Sequence, residues 1–260
     1  MSKRSCAMSK KTFIAFGCTH IPHYDREYAE NLIGQIRERK PDLIICLGDL
    51  LDTGAISIYP KTDVVKLGRE CEEADKFLNA INDAAPKAHK VFMEGNHEER
   101  IWRPDQSAIS TMLDFRKHIK SLRPWKYYSY IENPRYTYRT GQLTFWHGNA
   151  CTKSGVTEDY EGIDLSGPKE CAHGCYIHAH THRPCEPGAL RANARRLPFW
   201  RCNVGCGIDF KWVQQDYAKK RNISQWQHAF IWGWHETKRR YDGQPNWDIE
   251  LITGKSAWGE

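Results

Sequence analysis

The stretch LIICLGDLLD, Leu43 to Asp52, joins five consecutive apolar residues to a glycine and two aspartates. A continuous apolar run of this length is typical of a strand that is buried on both faces of its sheet. Gly48 permits a tight turn directly after the strand, which brings the next side chain to the strand end. We therefore interpret Leu43–Leu47 as a buried strand that delivers Asp49 to one edge of the sheet.

Four other short β-rich runs also end in residue types that bind metals. They are Phe13–Phe16 before Cys18 and His20, Lys90–Met93 before Asn96 and His97, Leu143–Trp146 before His147, and Cys175–Ile177 before His178, His180 and His182. Apolar residues at helical spacing separate the three N-terminal runs, which predicts βαβ units in an α/β fold. Such folds bind ligands outside the carboxyl ends of their strands. We expect the five strand ends to converge there.

Composition limits the class of protein. The chain has 260 residues, enough for one large domain, and 27% of them are charged. No uninterrupted apolar segment approaches the roughly 20 residues that span a bilayer, which predicts no membrane association. The basic start, MSKRSCAMSKK, lacks the apolar stretch of a signal peptide. We expect a flexible segment over residues 1–10, a single domain over residues 11–260, and a cytoplasmic location.

In chain order, the motifs C-x-H, G-D-x-x-D, G-N-H-E, H-G-N and H-T-H resemble those of the calcineurin-like metallophosphoesterase superfamily. The usual pattern of that family is D-x-H, G-D-x-x-D, G-N-H-[DE], H and G-H-x-H. The wider context looks most like the bacterial and phage-borne branch, over roughly residues 12 to 210. The resemblance implies a four-layer α-β-β-α sandwich, with a two-metal site at the C-terminal edge of the strands.

The resemblance also implies a role for each motif residue. The first metal would be held by Cys18, His20, Asp49 and His182, and the second by Asp49, Asn96, His147 and His180. Asp49 would bridge the two ions, because a carboxylate can give one oxygen to each. His97 would protonate the leaving oxygen, and Asp52 would orient its imidazole. Two ions about 3.5–4 Å apart supply the nucleophile and the charge compensation that phosphoester hydrolysis needs.

Three positions depart from the family pattern. Cys18 replaces the first aspartate, and a thiolate keeps the single negative charge but is a softer ligand. This predicts zinc or iron at the first site, with manganese, zinc or iron at the second; the alternative is a weakened or empty first site. Thr53 stands where phosphoprotein phosphatases carry a phosphate-binding arginine, which disfavours a protein phosphatase. Ala179 replaces the glycine of G-H-x-H.

Several residues keep two interpretations. Cys171, Cys175, Cys185, Cys202 and Cys206, with His173, could form a structural zinc site, but their C-x3-C spacing favours buried thiols. His23 and Asp25 could touch the metal ligands or the substrate, or serve as turn and cap residues. His178 could support the site or simply pack. The basic, aromatic stretch from Trp125 to Arg139 could stack bases, although a covering layer is the more typical use.

The sequence therefore predicts metal-dependent hydrolysis of phosphoester bonds by a two-metal site. A phosphodiesterase or nuclease-like enzyme that acts on nucleotide or nucleic acid is favoured, since a net charge of +6 suits a polyanionic substrate. The alternatives are a phosphomonoesterase or protein phosphatase, a catalytically silent scaffold of the same fold, and a redox sensor in which Cys18 oxidises. The sequence leaves the oligomeric state open.

Overall fold

Two β-sheets form the centre of the molecule in the computed structural model, which describes residues 9–58, 63–102, 115–129, 137–148, 174–189, 199–216, 223–237 and 244–257. The first sheet contains, in spatial order, β11 (Trp247–Ser256), β10 (Gln227–Glu236), β1 (Lys10–Phe16), β2 (Leu43–Cys46), β3 (His89–Met93) and β4 (Trp125–Tyr128). The second contains β5 (Tyr138–Thr140), β6 (Leu143–Phe145), β7 (Gly174–His178), β9 (Phe199–Asn203) and β8 (Cys185–Ala189). The five strands expected from the sequence are all present.

The strands that precede the motifs run parallel within each sheet. In the first sheet β1, β2, β3 and β4 are parallel neighbours, and in the second β6, β7 and β9 are parallel. The antiparallel strands β10, β11, β5 and β8 lie toward the outside of the two sheets. Because parallel strands point the same way, their carboxyl ends share one edge of the sheet.

Two long helices cover one face of the first sheet. They are α1 (Arg26–Arg39), which connects β1 to β2, and α2 (Leu67–Ala84), which precedes β3. Ile14, Phe16 and Ile44 belong to the same buried cluster as Leu32 of α1 and Leu78 of α2. Since successive side chains of a strand point to opposite faces, the alternate residues of these strands are left for the other side.

The other face of the first sheet packs on the second sheet. Phe13, Ala15 and Ile45 form one buried cluster with Phe145 and Ile177. The rings of Phe13 and Phe145 meet edge to face with centroids 5.5 Å apart. The helices, the first sheet and the second sheet are thus stacked in that order, which confirms the predicted α/β sandwich and shows three of its four predicted layers within the described ranges.

The other α-helices of the described ranges, α3 (Phe115–His118) and α4 (Phe210–Asp216), are short. Among the helices of the described ranges, none is both long enough and apolar enough to cross a bilayer. Strand β1 begins at Lys10, and residues 1–8 lie outside the described ranges, so the flexible segment and the single-domain boundary stay predictions.

Candidate metal centre

The motif residues follow the carboxyl ends of five strands and come together at one edge. Cys18 and His20 follow β1, Asp49 and Asp52 follow β2, Asn96 and His97 follow β3, His147 follows β6, and His180 and His182 follow β7. Seven of these side chains form three overlapping groups of possible metal ligands. Within each group the candidate ligand atoms lie within 4.8 Å of one another. The first group is Cys18, His20 and His182, the second is Cys18, Asp49 and His147, and the third is His20, Asp52 and His97. The convergence expected from the sequence is present.

The backbone of this edge is held in an uncommon conformation. Five of the predicted ligands have φ in the left-handed region: Cys18 at 52°, His20 at 51°, Asp49 at 50°, His180 at 62° and His182 at 62°. A residue with a side chain in this region costs of order 1–3 kcal/mol, and such strain collects at functional sites. The surrounding structure must therefore compensate for bending each loop toward the same centre.

A close approach of two turns brings Asp49 next to Asn96. Gly48 has φ of +89°, and a Cβ at this position would collide with the backbone of Gly95. A Cβ on Gly95 would in turn collide with the Asp49 carboxylate. Only glycine fits at these two positions, because the backbone of one turn lies directly on the other.

The predicted first site is almost completely buried. Nε2 of His20 lies 3.2 Å from Nε2 of His182 and 3.9 Å from Oδ2 of Asp49. Sγ of Cys18 belongs to the same group and accepts a hydrogen bond from the backbone N–H of His180 at 3.1 Å. Burial and the nearby Asp49 carboxylate raise the pKa of the Cys18 thiol. We infer that the thiolate needs a cation beside it, as metal binding to a thiol releases the proton.

The predicted second site is built around His147. Nδ1 of His147 lies 2.6 Å from the backbone oxygen of Leu47, to which it donates. Nε2 then faces Oδ1 of Asn96 at 3.0 Å, Oδ2 of Asp49 at 3.2 Å and Nδ1 of His180 at 3.2 Å. In the neutral ring this nitrogen carries a lone pair, so it would meet two oxygen acceptors without a proton between them. Either a proton on Nε2 or a cation among these four atoms removes the conflict, and the donor chemistry of the four atoms fits a divalent metal.

The charges of the site follow from these contacts. Burial by itself would raise the pKa of Asp49, but the histidines around it, His147 foremost, hold that pKa well below its usual range. Burial by itself would lower the pKa of His147, and the Asp49 carboxylate raises it. Asp49 is therefore ionised, and it is the only acidic residue shared by the two predicted ligand sets.

His97 lies at the side of the centre with one nitrogen turned toward it. Nδ1 of His97 is 2.7 Å from the backbone oxygen of Asp52 and 3.5 Å from its Oδ1, whereas Nε2 is 4.0 Å from Oδ2 of Asp49. The backbone N–H of His97 donates to Oδ1 of Asp49 at 2.8 Å. Burial lowers the pKa of this ring, and the Asp49 and Asp52 carboxylates oppose that effect. Asp52 thus contacts the imidazole mainly through its main chain.

Two residues near the centre had no role in the sequence analysis. The first is Glu98, whose carboxylate accepts the backbone N–H groups of Asp49 at 2.9 Å, Leu51 at 2.9 Å and Gly95 at 2.8 Å, which ties the turns after β2 and β3 together. Burial, together with Asp49, raises the pKa of Glu98 to about 7. The motif G-N-H-E contains Glu98, and this was the available signal.

Arg100 is the second of these residues, and it lies in the short 3₁₀ helix Glu98–Trp102 that follows β3. Its Nη1 donates to the backbone oxygen of Asp52 at 2.7 Å and to Oγ1 of Thr53 at 3.2 Å. Oγ1 of Thr53 donates in turn to the backbone oxygen of His97 at 2.7 Å. Arg100 therefore braces the pair formed by Asp52 and His97. No spacing rule in the sequence pointed to it.

The residues with two interpretations now have defined surroundings. Asp25 caps α1, since its Oδ1 accepts the N–H of Tyr28 at 2.9 Å, which confirms the cap interpretation. His23 stacks on Trp212 with ring centroids 3.8 Å apart. His178 is buried, and its Nδ1 lies 3.0 Å from the backbone oxygen of Ala179; burial lowers its pKa to about 4.

The seven cysteines that the structure describes are all free thiols. Of these, Cys18 alone belongs to a group of possible metal ligands within the described ranges. Cys175, Cys202 and Cys206 are buried, and burial raises their pKa values, to about 12 for Cys206. Cys171 and His173 lie outside the described residues. The described part of the chain favours buried thiols over a structural zinc site.

Part of the basic, aromatic stretch belongs to the first sheet. Residues 125–128 form β4 at its edge, and the ring of Tyr127 stacks on Phe92 with centroids 5.1 Å apart. Tyr128 packs against Tyr138 of β5 at 5.9 Å. Residues 130–136 lie outside the described ranges. The described ends of this stretch are therefore edge strands of the two sheets, β4 and β5, and not the covering layer that the sequence favoured.

Comparison with known proteins identifies the family. A family model described as calcineurin-like phosphoesterase matches residues 11–196, a range that contains every residue of the candidate metal centre. The chain therefore belongs to the calcineurin-like phosphoesterase family, and the resemblance seen in the motifs is confirmed. A search of curated proteins with this sequence gives no match.

Several solved structures are similar to this chain at low identity. Wild-type Vps29 complexed with zinc from Entamoeba histolytica is 13% identical with a TM-score of 0.42, covering 93% of this chain and 98% of that chain. YfcE, a phosphoesterase from E. coli, is 12% identical with a TM-score of 0.38, at 93% and 98% coverage. The protein TT1561 of Thermus thermophilus is 9% identical with a TM-score of 0.44, at 94% and 99% coverage.

Proposed function

We propose that this protein is a two-metal phosphoesterase whose ions are held at the carboxyl edge of the two sheets. The observation that carries the proposal is the position of Nε2 of His147, which faces Asp49, Asn96 and His180 at 3.0–3.2 Å. These four residues come from four separate strand ends, and they are the set that the family motifs select. A packed core has no need to bring such atoms together.

Each ion would be held by four ligands, and Asp49 would belong to both groups. The first would be held by Cys18, His20, Asp49 and His182, and the second by Asp49, Asn96, His147 and His180. When bound, the ions would neutralise charge on the phosphoryl oxygens and activate the attacking water. The chain's own contribution is to fix the ligands in place, through the strained backbone and through the Glu98 carboxylate between two of the turns.

His97 is the proposed donor of a proton to the leaving oxygen. Its Nδ1 donates to the backbone oxygen of Asp52, so Nε2 is the nitrogen that reaches toward the centre. Donation from Nε2 requires the imidazolium form, which an anionic phosphoester beside the ring would stabilise. Asp52 fixes the ring orientation, and Arg100 donates to the same backbone oxygen. A catalytically silent protein of the same fold would have no use for an oriented His97, so this arrangement favours a phosphoesterase.

The finer proposal is a phosphodiesterase or nuclease-like activity on nucleotide or nucleic acid. The net charge of +6 supports it, because it attracts polyanions. Thr53 supports it as well, since this residue stands in place of the arginine of phosphoprotein phosphatases and its hydroxyl is engaged with the His97 carbonyl. A phosphomonoesterase or protein phosphatase is the alternative that a substrate panel would separate.

We expect the purified protein to hydrolyse bis(p-nitrophenyl) phosphate in a metal-dependent way. Chelation followed by elemental analysis should remove both ions and the activity, and adding back manganese or zinc should restore it. Full turnover by protein shown to be metal-free would overturn the proposal. Activity on phosphopeptides comparable to that on the aryl diester, with none on nucleotides or oligonucleotides, would overturn the finer proposal only.

We expect Cys18 to bind the first metal directly, because Sγ lies within the group of His20 and His182. X-ray absorption of the zinc-loaded protein should show one sulfur at about 2.3 Å. Cys18→Asp should restore a hard ligand and shift the best metal toward manganese, and Cys18→Ser should lose the first-site ion. The matched control is Cys71→Ser, a buried thiol on α2. If Cys18→Ser keeps both ions and the same metal preference, the thiol only packs.

A further inference from the structure

A polar cavity of about 330 Å³ lies beside the loop that carries His180 and His182. Its polar lining includes Thr181 and Arg183 from this loop, Arg201 and Asn203 from β9, and Gln225. Cys202 is fully buried in the cluster between the two sheets. Because side chains alternate along a strand, Arg201 and Asn203 project from the opposite face of the second sheet. The cavity is thus outside the core and next to the predicted ligands.

The described lining of this cavity is basic. Two of the described residues that line it are arginines, and none of them is an aspartate or a glutamate. A guanidinium group presents several N–H donors in a planar fork that matches phosphate oxygens. The amide groups of Asn203 and Gln225 add donors that carry no charge. A lining of this kind is chemically suited to an oxyanion such as phosphate.

The cavity wall and the metal-binding loop form one hydrogen-bonded unit. Nδ2 of Asn203 donates to Oγ1 of Thr181 at 2.7 Å and to the backbone oxygen of Ala179 at 3.2 Å, while its Oδ1 accepts the N–H of Gly205 at 2.8 Å. Thr181 stands between His180 and His182 in the chain. The cavity wall is therefore continuous with the loop that carries two of the predicted metal ligands.

We propose that this cavity is a second phosphate-binding subsite, in which Arg183 and Arg201 hold a phosphate adjacent to the phosphoester that is cleaved. The inference rests on the proposed function, and it narrows the substrate to molecules with at least two phosphates. A nucleic-acid strand and a nucleoside polyphosphate share this chemistry. A substrate with one phosphate would leave the subsite empty and gain nothing from it.

Kinetics with two substrates test the proposal. For Arg183→Gln and Arg201→Gln, the ratio of kcat/KM on a short oligonucleotide to kcat/KM on bis(p-nitrophenyl) phosphate should fall about tenfold or more, as expected for a lost hydrogen bond to a charged group. Arg→Lys at each position should lose less, since it keeps the charge. The matched control is Arg69→Gln, an exposed residue on α2 paired with Glu72, which should keep the wild-type ratio. A wild-type ratio in both Arg→Gln variants would overturn the subsite.

Binding measured without cleavage separates this inference from the proposed function. Fluorescence anisotropy of a labelled oligonucleotide, with chelated protein, should show a salt dependence whose slope falls by about one for each arginine removed. A nucleoside triphosphate and an unlabelled oligonucleotide are each used to displace the labelled oligonucleotide. The stronger competitor shows whether the subsite prefers a nucleoside polyphosphate or a nucleic-acid strand. If the wild type hydrolyses the aryl diester but the arginine variants bind as tightly as wild type, the subsite is wrong and the phosphoesterase stands. If the wild type binds the oligonucleotide through the two arginines but hydrolyses neither substrate, the subsite stands and the phosphoesterase proposal is wrong.

Discussion

His97→Ala should lower kcat for an oligonucleotide by about 10²–10⁴-fold, the usual contribution of positioned proton transfer. Nε2 of His97 lies 4.0 Å from Oδ2 of Asp49, while Nδ1 lies 2.7 Å from the backbone oxygen of Asp52. From this orientation we propose that the ring donates a proton and does not ligate. The metal content, measured by elemental analysis, should stay at the wild-type value. Steady-state kinetics in the metal-loaded protein give the size of the effect.

The identity of the leaving group sharpens this test. A poor leaving group such as a nucleoside oxygen depends on protonation more than p-nitrophenolate does, so the loss should be larger on the oligonucleotide than on the aryl diester. His89→Ala, at the start of β3 and at the opposite end of that strand from His97, is the matched control. Loss of metal in His97→Ala would show instead that His97 is a ligand.

Asp49→Ala should remove both ions and reduce hydrolysis to the background rate. Asp49 is the only acidic residue in the two predicted ligand sets, and its Oδ2 lies 3.2 Å from Nε2 of His147 and 3.9 Å from Nε2 of His20. Without this carboxylate, the second site keeps only neutral ligands and loses the charge that holds a divalent ion. Elemental analysis after gel filtration measures the metal lost per chain.

A second variant distinguishes loss of the metal ligand from misfolding of the Asp49→Ala protein. Oδ1 of Asp49 accepts the backbone N–H of His97 at 2.8 Å, and alanine leaves that donor without its acceptor. Asp49→Asn keeps an oxygen for this bond and removes only the charge, so it should fold normally and still bind metal weakly. Asp83→Asn on α2 serves as the control. Retention of two ions by both Asp49 variants would show that the bridge lies elsewhere.

The fold and the residues that meet at the candidate metal centre could be predicted from the sequence, because the signals for both lie in short contiguous segments. Each predicted ligand stands a few residues after a short apolar strand, and parallel strands bring their carboxyl ends to one edge. Leu43–Leu47 followed by Gly48 and Asp49 is the clearest case, because strand, turn and carboxylate are contiguous. The strand bounds differ from the expected ones by only a few residues: β3 begins at His89, and β6 ends at Phe145.

The tertiary structure decided what joins these strand ends. Glu98 reaches Asp49 and Gly95 only because the turns after β2 and β3 lie against each other. The arginines at 183 and 201 share a cavity through the pairing of β9 with β7 and β8. Contacts of this kind depend on strand register and on how closely backbones approach. A local pattern carries no information on either, because partners far apart in the chain meet only after the sheets have formed. The sequence by itself therefore determined which residues enter the centre, and the packing of the sheets decided which neighbours brace it.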